Sequence, residues 1–177
     1  EVTLLHSGTI VLNIGNRLSG VWTGPDSGAK DAAGANPYLS GTSLHYTGSG
    51  VAVEASFATV VDGQIRVDNL QIYSGGGTIG IHIKNIVDVW FDHVNITGLT
   101  FPVTTPGFST ACIHCEQSPT GTDFVGIIRI TNSILRYTPG YGIKVGGGNN
   151  LNAFTITGNR IQGNELGGIY SGGHSLG

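Results

Sequence analysis

Apolar and polar residues alternate with a period of two along most of this chain, and helical periodicity is nearly absent. The alanine-rich stretch Gly28–Ala35 has no apolar face, so almost no helix is predicted. What recurs is a short alternating strand opened by a small residue: Gly50–Val53, Gly80–Ile83, Cys112–Cys115, Gly142–Val145 and Gly168–Ser171, at spacings of 30, 32, 30 and 26 residues. A second set follows some way behind the first: Val67–Ile72, Phe91–Ile96, Ile130–Leu135 and Ile156–Ile161, each apolar at its first and sixth positions.

The six-residue pattern has a geometric consequence. Two apolar residues five apart lie on opposite faces of a straight strand, so burying both requires a turn between them. The turn falls at Asn69, His93, Asn132 and Gly158; Asn tolerates the left-handed backbone and Gly adopts it freely. Strands this far apart with no crossover helix pair in parallel if the chain coils and returns one rung higher, which predicts an all-β, single-stranded parallel β-helix. Val51, Ile81, Ile113, Ile143 and Ile169 would form an inward ladder at about 4.8 Å per step. About five rungs fit in residues 43–177, the expected β-helix. Residues 1–42 read as an irregular N-terminal segment with a Gly/Ala/Pro/Asp-rich loop over 22–42, and residues 97–110, with Phe101 and Phe108, read as a loop that lengthens one rung. That second loop is either a binding loop, or a decorative loop without a partner, or a subunit contact.

Composition narrows the partners. The 177 residues include 30 glycines without a three-residue period, which excludes collagen, while 32 Ile and Val residues argue against simple disorder. Eight scattered Lys and Arg against eleven acids disfavour nucleic acid, and no apolar run is long enough for membrane insertion. Glu1 at the start and Gly172–Gly177 without an evident cap are expected of a chain cut from a longer one.

The residues Gly41–Gly50, Val67–Ile72 and Gly80–Asn85 carry a resemblance to the pectate-lyase-like right-handed β-helix family, and within it to phage tailspikes and polysaccharide depolymerases. The resemblance spans most of the chain after residue 40. It implies a right-handed coil, a homo-oligomer such as a trimer, a place outside the cell or on a virion surface, and a polysaccharide partner. Asn69, His93 and Asn132 look like the internal asparagine ladder of such helices, with His93 departing from it.

Candidate chemistry lies in the outward columns. If Val51, Ile81, Ile113 and Ile143 point inward, then Ala52, His82, His114, Lys144 and Tyr170 stack outward, with Glu54, Lys84 and Glu116 in a second column. A His beside a carboxylate titrates near neutrality and Lys stabilises an anionic sugar, so the patch could serve β-elimination from a uronic acid, with Lys or His as base and His82 and Lys84 contacting substrate. The alternative is a column of opposite charges relieving repulsion.

On the second set of strands, Asp68 and Asp92 occupy equivalent positions about 5 Å apart, the separation of a retaining-glycosidase pair, with one pKa expected to rise. Calcium at this pair is the single cofactor considered, and no other metal site is expected. Two solvated carboxylates near a bend are the alternative. Trp90 shares a column with Arg66 and Arg129, a platform for a sugar ring or a subunit contact. Cys112 and Cys115, three apart on a strand, should face opposite ways, Cys115 inward and Cys112 outward, and read as packing rather than metal or redox chemistry. The functional expectation is extracellular polysaccharide recognition, extended to cleavage by hydrolysis or elimination. The competing reading is a non-catalytic solenoid: a fibre shaft, an adhesin stalk or a filament subunit stacking end to end.

Overall fold

The computed structural model describes residues 2–21, 41–98, 107–116, 125–146 and 153–172. Among them there is no helix, every strand pairing is parallel, and the strands form a β-solenoid of about four turns. Each turn visits three faces. The first face holds β2 (Ile10–Val11), the starts of β5 (Val51–Ser74) and β6 (Ile79–Gly98), then β7 (Ala111–Glu116), β10 (Tyr141–Gly146) and β13 (Gly167–Ser171). The second holds β3 (Arg17–Ser19), the middles of β5 and β6, β8 (Val125–Thr131) and β11 (Ala153–Thr157). The third holds β1 (Val2–His6), β4 (Thr42–Tyr46), the ends of β5 and β6, β9 (Ile134–Arg136) and β12 (Arg160–Gln162).

Alternation places one apolar column inside each face. Val53, Ile81, Ile113 and Ile143 are buried on the first, Val67, Phe91 and Ile130 on the second, and Leu44, Ile72, Ile96 and Leu135 on the third. Each buried side chain of this size contributes about 1.5–3 kcal/mol, so the stacked columns are the main cohesive term. The bends between the second and third faces sit where the pattern places them: Asn69, His93, Asn132 and Gly158 all have positive φ, between 50° and 69°. Asn85 and Tyr137 also take positive φ, at corners the sequence pattern does not mark.

The small residue that opens each first-face strand has a steric cause. A Cβ on Gly80 would lie 2.5 Å from the Cys112 carbonyl oxygen and 2.8 Å from Cγ2 of Ile96; one on Gly142 would lie 2.5 Å from Cγ2 of Ile161. The position points into the corner, towards the third face and the next rung, so two consecutive residues face inward there. This corrects the placement of Cys112: both Cys112 and Cys115 are buried, and burial pushes each thiol up to about 12.

Three further expectations change. The first rung is offset by two residues, because Val53 and not Val51 pairs with Ile81; Ala52 then sits beside Gly80 at the corner, buried rather than outward. The asparagine ladder is not internal, since Asn132 is exposed and Asn69 and Asn132 turn their amides to Asp68 and Asp92. Residues 2–19, read as irregular, supply β1, β2 and β3, which pair with β4 and β5 as the first turn of the coil. Of the long loops, residues 22–40 and 99–106, Phe101 among them, lie outside the described residues, whereas Phe108 is buried in the core.

Candidate functional site

Two outward columns concentrate the chemistry. The two-residue offset on the first face brings Glu54, rather than Ala52, into register with His82, His114, Lys144 and Tyr170, and puts Ser56 beside Lys84 and Glu116. His82 is consequently held on both sides, with Nδ1 3.1 Å from Oε1 of Glu54 and Nε2 2.9 Å from Oε2 of Glu116. Each ring nitrogen of His82 therefore faces an oxygen of a different carboxylate, one on either neighbouring rung. Lys84 Nζ donates to the other Glu116 oxygen at 3.0 Å. Burial works to raise the Glu116 pKa, but the hydrogen bonds from Lys84 and His82 and their charges outweigh it and hold the carboxyl low.

His114 has the opposite environment. Its ring lies 5.4 Å from that of His82, and its buried Nδ1 has no hydrogen-bond partner. Burial, then the charges of His82 and Lys144, lower its pKa to about 4 against the pull of Glu116. Adjacent rungs thus carry one imidazole with a carboxylate on each nitrogen and one, with a buried nitrogen that has no partner, that is neutral at pH 7.

On the second face the sequence-predicted residues also come together, with different partners from those expected. Arg66, Trp90 and Arg129 share a column, and Asp68 pairs with Asp92. The Asp68 side chain is fully buried. It accepts from Arg17 Nε at 2.8 Å and Nη2 at 2.9 Å, Ser19 Oγ at 2.6 Å, Arg66 Nε at 2.5 Å and Asn69 Nδ2 at 2.9 Å. Burial would raise its pKa, but the hydrogen bonds from Arg17, Ser19 and Arg66 and the Arg66 charge bring it down to about 2. Asp92 is likewise lowered, its burial outweighed by hydrogen bonds from Thr131, His93 and Asn132.

The expectation that one carboxyl of this pair rises is therefore overturned. A retaining-glycosidase pair needs a proton on one member, and here each carboxylate is stabilised as the anion by its own donors. Among the described residues no cluster of three or more His, Cys, Asp or Glu has metal-holding geometry.

Trp90 is partly buried rather than openly displayed. The Arg66 guanidinium lies 3.9 Å from its ring centroid, and its Nε1 donates to Thr131 Oγ1 at 3.2 Å. Arg129 is engaged by Asp88 at 2.5 Å, and Gln64 donates to the other Asp88 oxygen at 2.9 Å. Beside this column a cleft of about 430 Å³ is lined by Ile14, Gly15, Asn16, Arg17, Gly63, Gln64 and Arg66. It forms where β5 departs from regular register between Ser56 and Gln64. Arg17, Ser19 and Asp88 escape a reading of the sequence alone. A signal for the first two exists: Arg17-Leu18-Ser19 repeats Arg66-Val67-Asp68 and pairs with it residue for residue.

No protein-family model, curated protein or solved structure matches this chain. No helix among the described residues is long and apolar enough to cross a membrane.

Proposed function

We propose that this chain is an extracellular polysaccharide-recognition module, of the kind found on phage tailspikes and secreted depolymerases, built on a right-handed parallel β-helix of the pectate-lyase-like type. The observation that carries the reading is the second-face cleft of about 430 Å³, whose wall presents Arg17 and Arg66 held in place by one buried carboxylate. Donors fixed before the ligand arrives lose little entropy on binding, and guanidinium forks suit vicinal sugar oxygens. The Trp90 ring, on the next rung, stacks under the Arg66 guanidinium at 3.9 Å and helps to hold it in place at the cleft wall.

Recognition is better supported than cleavage. The second-face carboxylates are committed to structural donors, and the first-face groups, His82, His114, Lys84, Glu116 and Lys144, stand on a different face from the cleft. Binding of the purified chain to a panel of bacterial and plant polysaccharides, followed by calorimetry, tests the reading. Arg66→Ala and Trp90→Ala should each weaken binding of the selected polysaccharide about tenfold, the scale of one lost hydrogen-bonded or stacked contact. Absence of binding across the panel, or variants that bind as tightly as the parent, would remove it.

A further inference from the structure

Two guanidinium groups stand side by side on the wall of the second-face cleft. Arg17 on β3 pairs with Arg66 on β5, and both Nε atoms donate to the same oxygen of Asp68, Oδ2, at 2.8 and 2.5 Å. Arg17 completes a bidentate contact through Nη2 to Oδ1 at 2.9 Å, and Arg66 lays its face on the Trp90 ring. Asp68 thus takes the inner side of both groups and Trp90 one face of Arg66, which fixes their orientation. The outer side of each stays unused: Nη1 of Arg17 and both Nη1 and Nη2 of Arg66 find no acceptor among the described residues. These side chains keep 54 % and 27 % of their surface in solvent, so the outer donors can be reached.

Asp68 supplies one negative charge for these two positive ones. The other carboxylates of the column are engaged elsewhere: Asp88 accepts from Arg129 and Gln64, and Asp92 from Thr131, Asn132 and His93. Asp62 is exposed and close in sequence, yet it does not line the cleft, and no lining residue is acidic. The wall therefore carries more positive charge than it neutralises, on donors already oriented. A neutral hydroxyl leaves that excess unmatched. A planar carboxylate has two oxygens and is satisfied by a single guanidinium edge, whereas an ester sulfate or a phosphomonoester has three acceptor oxygens in a tetrahedral array. Such a group can accept from two guanidinium edges on successive strands at once.

We propose that the cleft recognises a sulfate or phosphate ester on its glycan, held between the outer edges of Arg17 and Arg66. The proposal rests on the polysaccharide reading of this cleft and narrows it to glycans that carry a tetrahedral oxyanion.

Calorimetry of the parent chain against one glycan backbone in four forms tests it: dextran, carboxymethyl dextran, dextran sulfate and dextran phosphate, the charged forms matched in charge density, in about 0.15 M salt. At least one ester form should bind about tenfold tighter than the carboxymethyl form, the scale of one added charge-assisted contact, and the difference between sulfate and phosphate names the preferred ester. Arg17→Gln and Arg66→Gln should each weaken that binding about tenfold. Lys144→Gln, the same loss of charge on the first face, should leave it unchanged. Each cleft variant leaves Asp68 one arginine partner, and circular dichroism checks the fold. Arg66→Lys, which keeps the charge and loses the planar edge, replaces Arg66→Gln if that variant does not fold. Carboxymethyl dextran binding as tightly as both esters overturns the proposal. So does ester binding that the cleft variants weaken no more than Lys144→Gln does. If no charged dextran binds while a neutral glycan of the wider panel binds through Arg66, this proposal fails and the recognition reading stands; if nothing binds, both fail.

Discussion

The two outward columns are built on the same repeat and arrive at opposite electrostatic solutions. On the second face a carboxylate is buried and saturated by donors from its own rung and the one before it, Arg66 and Asn69 alongside Arg17 and Ser19. On the first face the carboxylates Glu54 and Glu116 stay partly exposed and converge on a single imidazole, His82, leaving His114 one rung further without a partner for its buried nitrogen. In a solenoid, the state of an outward group is set by what stands about 4.8 Å away on the next rung, even when that residue is 28 to 51 positions distant in sequence.

The largest test of this contrast is Asp68→Ala, which leaves Arg17 and Arg66 facing each other across adjacent rungs without a counter-charge. Breaking a buried pair by removing one partner costs about 3–5 kcal/mol, and partial exposure of both arginines should bring the loss to about 3 kcal/mol in urea unfolding. The effect should exceed that of any single truncation on the first face. A loss below about 1 kcal/mol would place the second-face network among ordinary surface ion pairs.

Next in size are two separate acid transitions. His114 has a folded pKa of about 4, below its ordinary value of 6.5, so the unfolded chain takes up the proton first. Stability is therefore full above pH 6.5 and falls as pH drops towards 4, by about 2–3 kcal/mol, because each tenfold change in proton affinity between the folded and unfolded chain is worth about 1.4 kcal/mol. Asp68, lowered from 3.8 to about 2, contributes stability above pH 3.8 that disappears as pH falls through 2. Solvent screening around its partly exposed arginines brings that contribution to about 1–2 kcal/mol. Melting temperature against pH should flatten between 6.5 and 4 in His114→Asn, and only below 4 in Asp68→Asn. If His114→Asn retains the full slope, another histidine governs that window.

Smaller effects should follow Glu116→Gln, which weakens the contacts from His82 and Lys84 at a partly exposed site, at most about 1 kcal/mol by thermal unfolding. Glu54→Gln, touching His82 alone, should cost only a few tenths of a kcal/mol. Equal losses in the two variants would mean that Lys84 adds nothing to the cluster.

Much of the architecture was legible in the residues. The bend positions Asn69, His93, Asn132 and Gly158 follow from a local conflict between burying two residues and keeping one strand straight, and so does the inward column Ile81, Ile113, Ile143. The Trp90 column and the Asp68–Asp92 register were likewise readable, because those rungs share the same spacing from the bend. The first-rung register was not. Gly50 and Ala52 are both small residues two positions apart, and a slip of two keeps every side chain on its face. Choosing between them depended on how the irregular stretch from Ser56 to Gln64 is accommodated, and that choice moved Glu54 against His82.

Facing, bending and the demand for a small residue at a corner are properties of a few consecutive residues, and alternation and side-chain size express them directly. Partnership is different in kind. The pairing of Asp68 with Arg17, the separation of the His82 and His114 environments and the cleft beside Arg66 all arise between rungs. They came into being only when the coil closed, because strand spacing and loop length, rather than neighbouring letters, determine which charges meet and which are taken out of water.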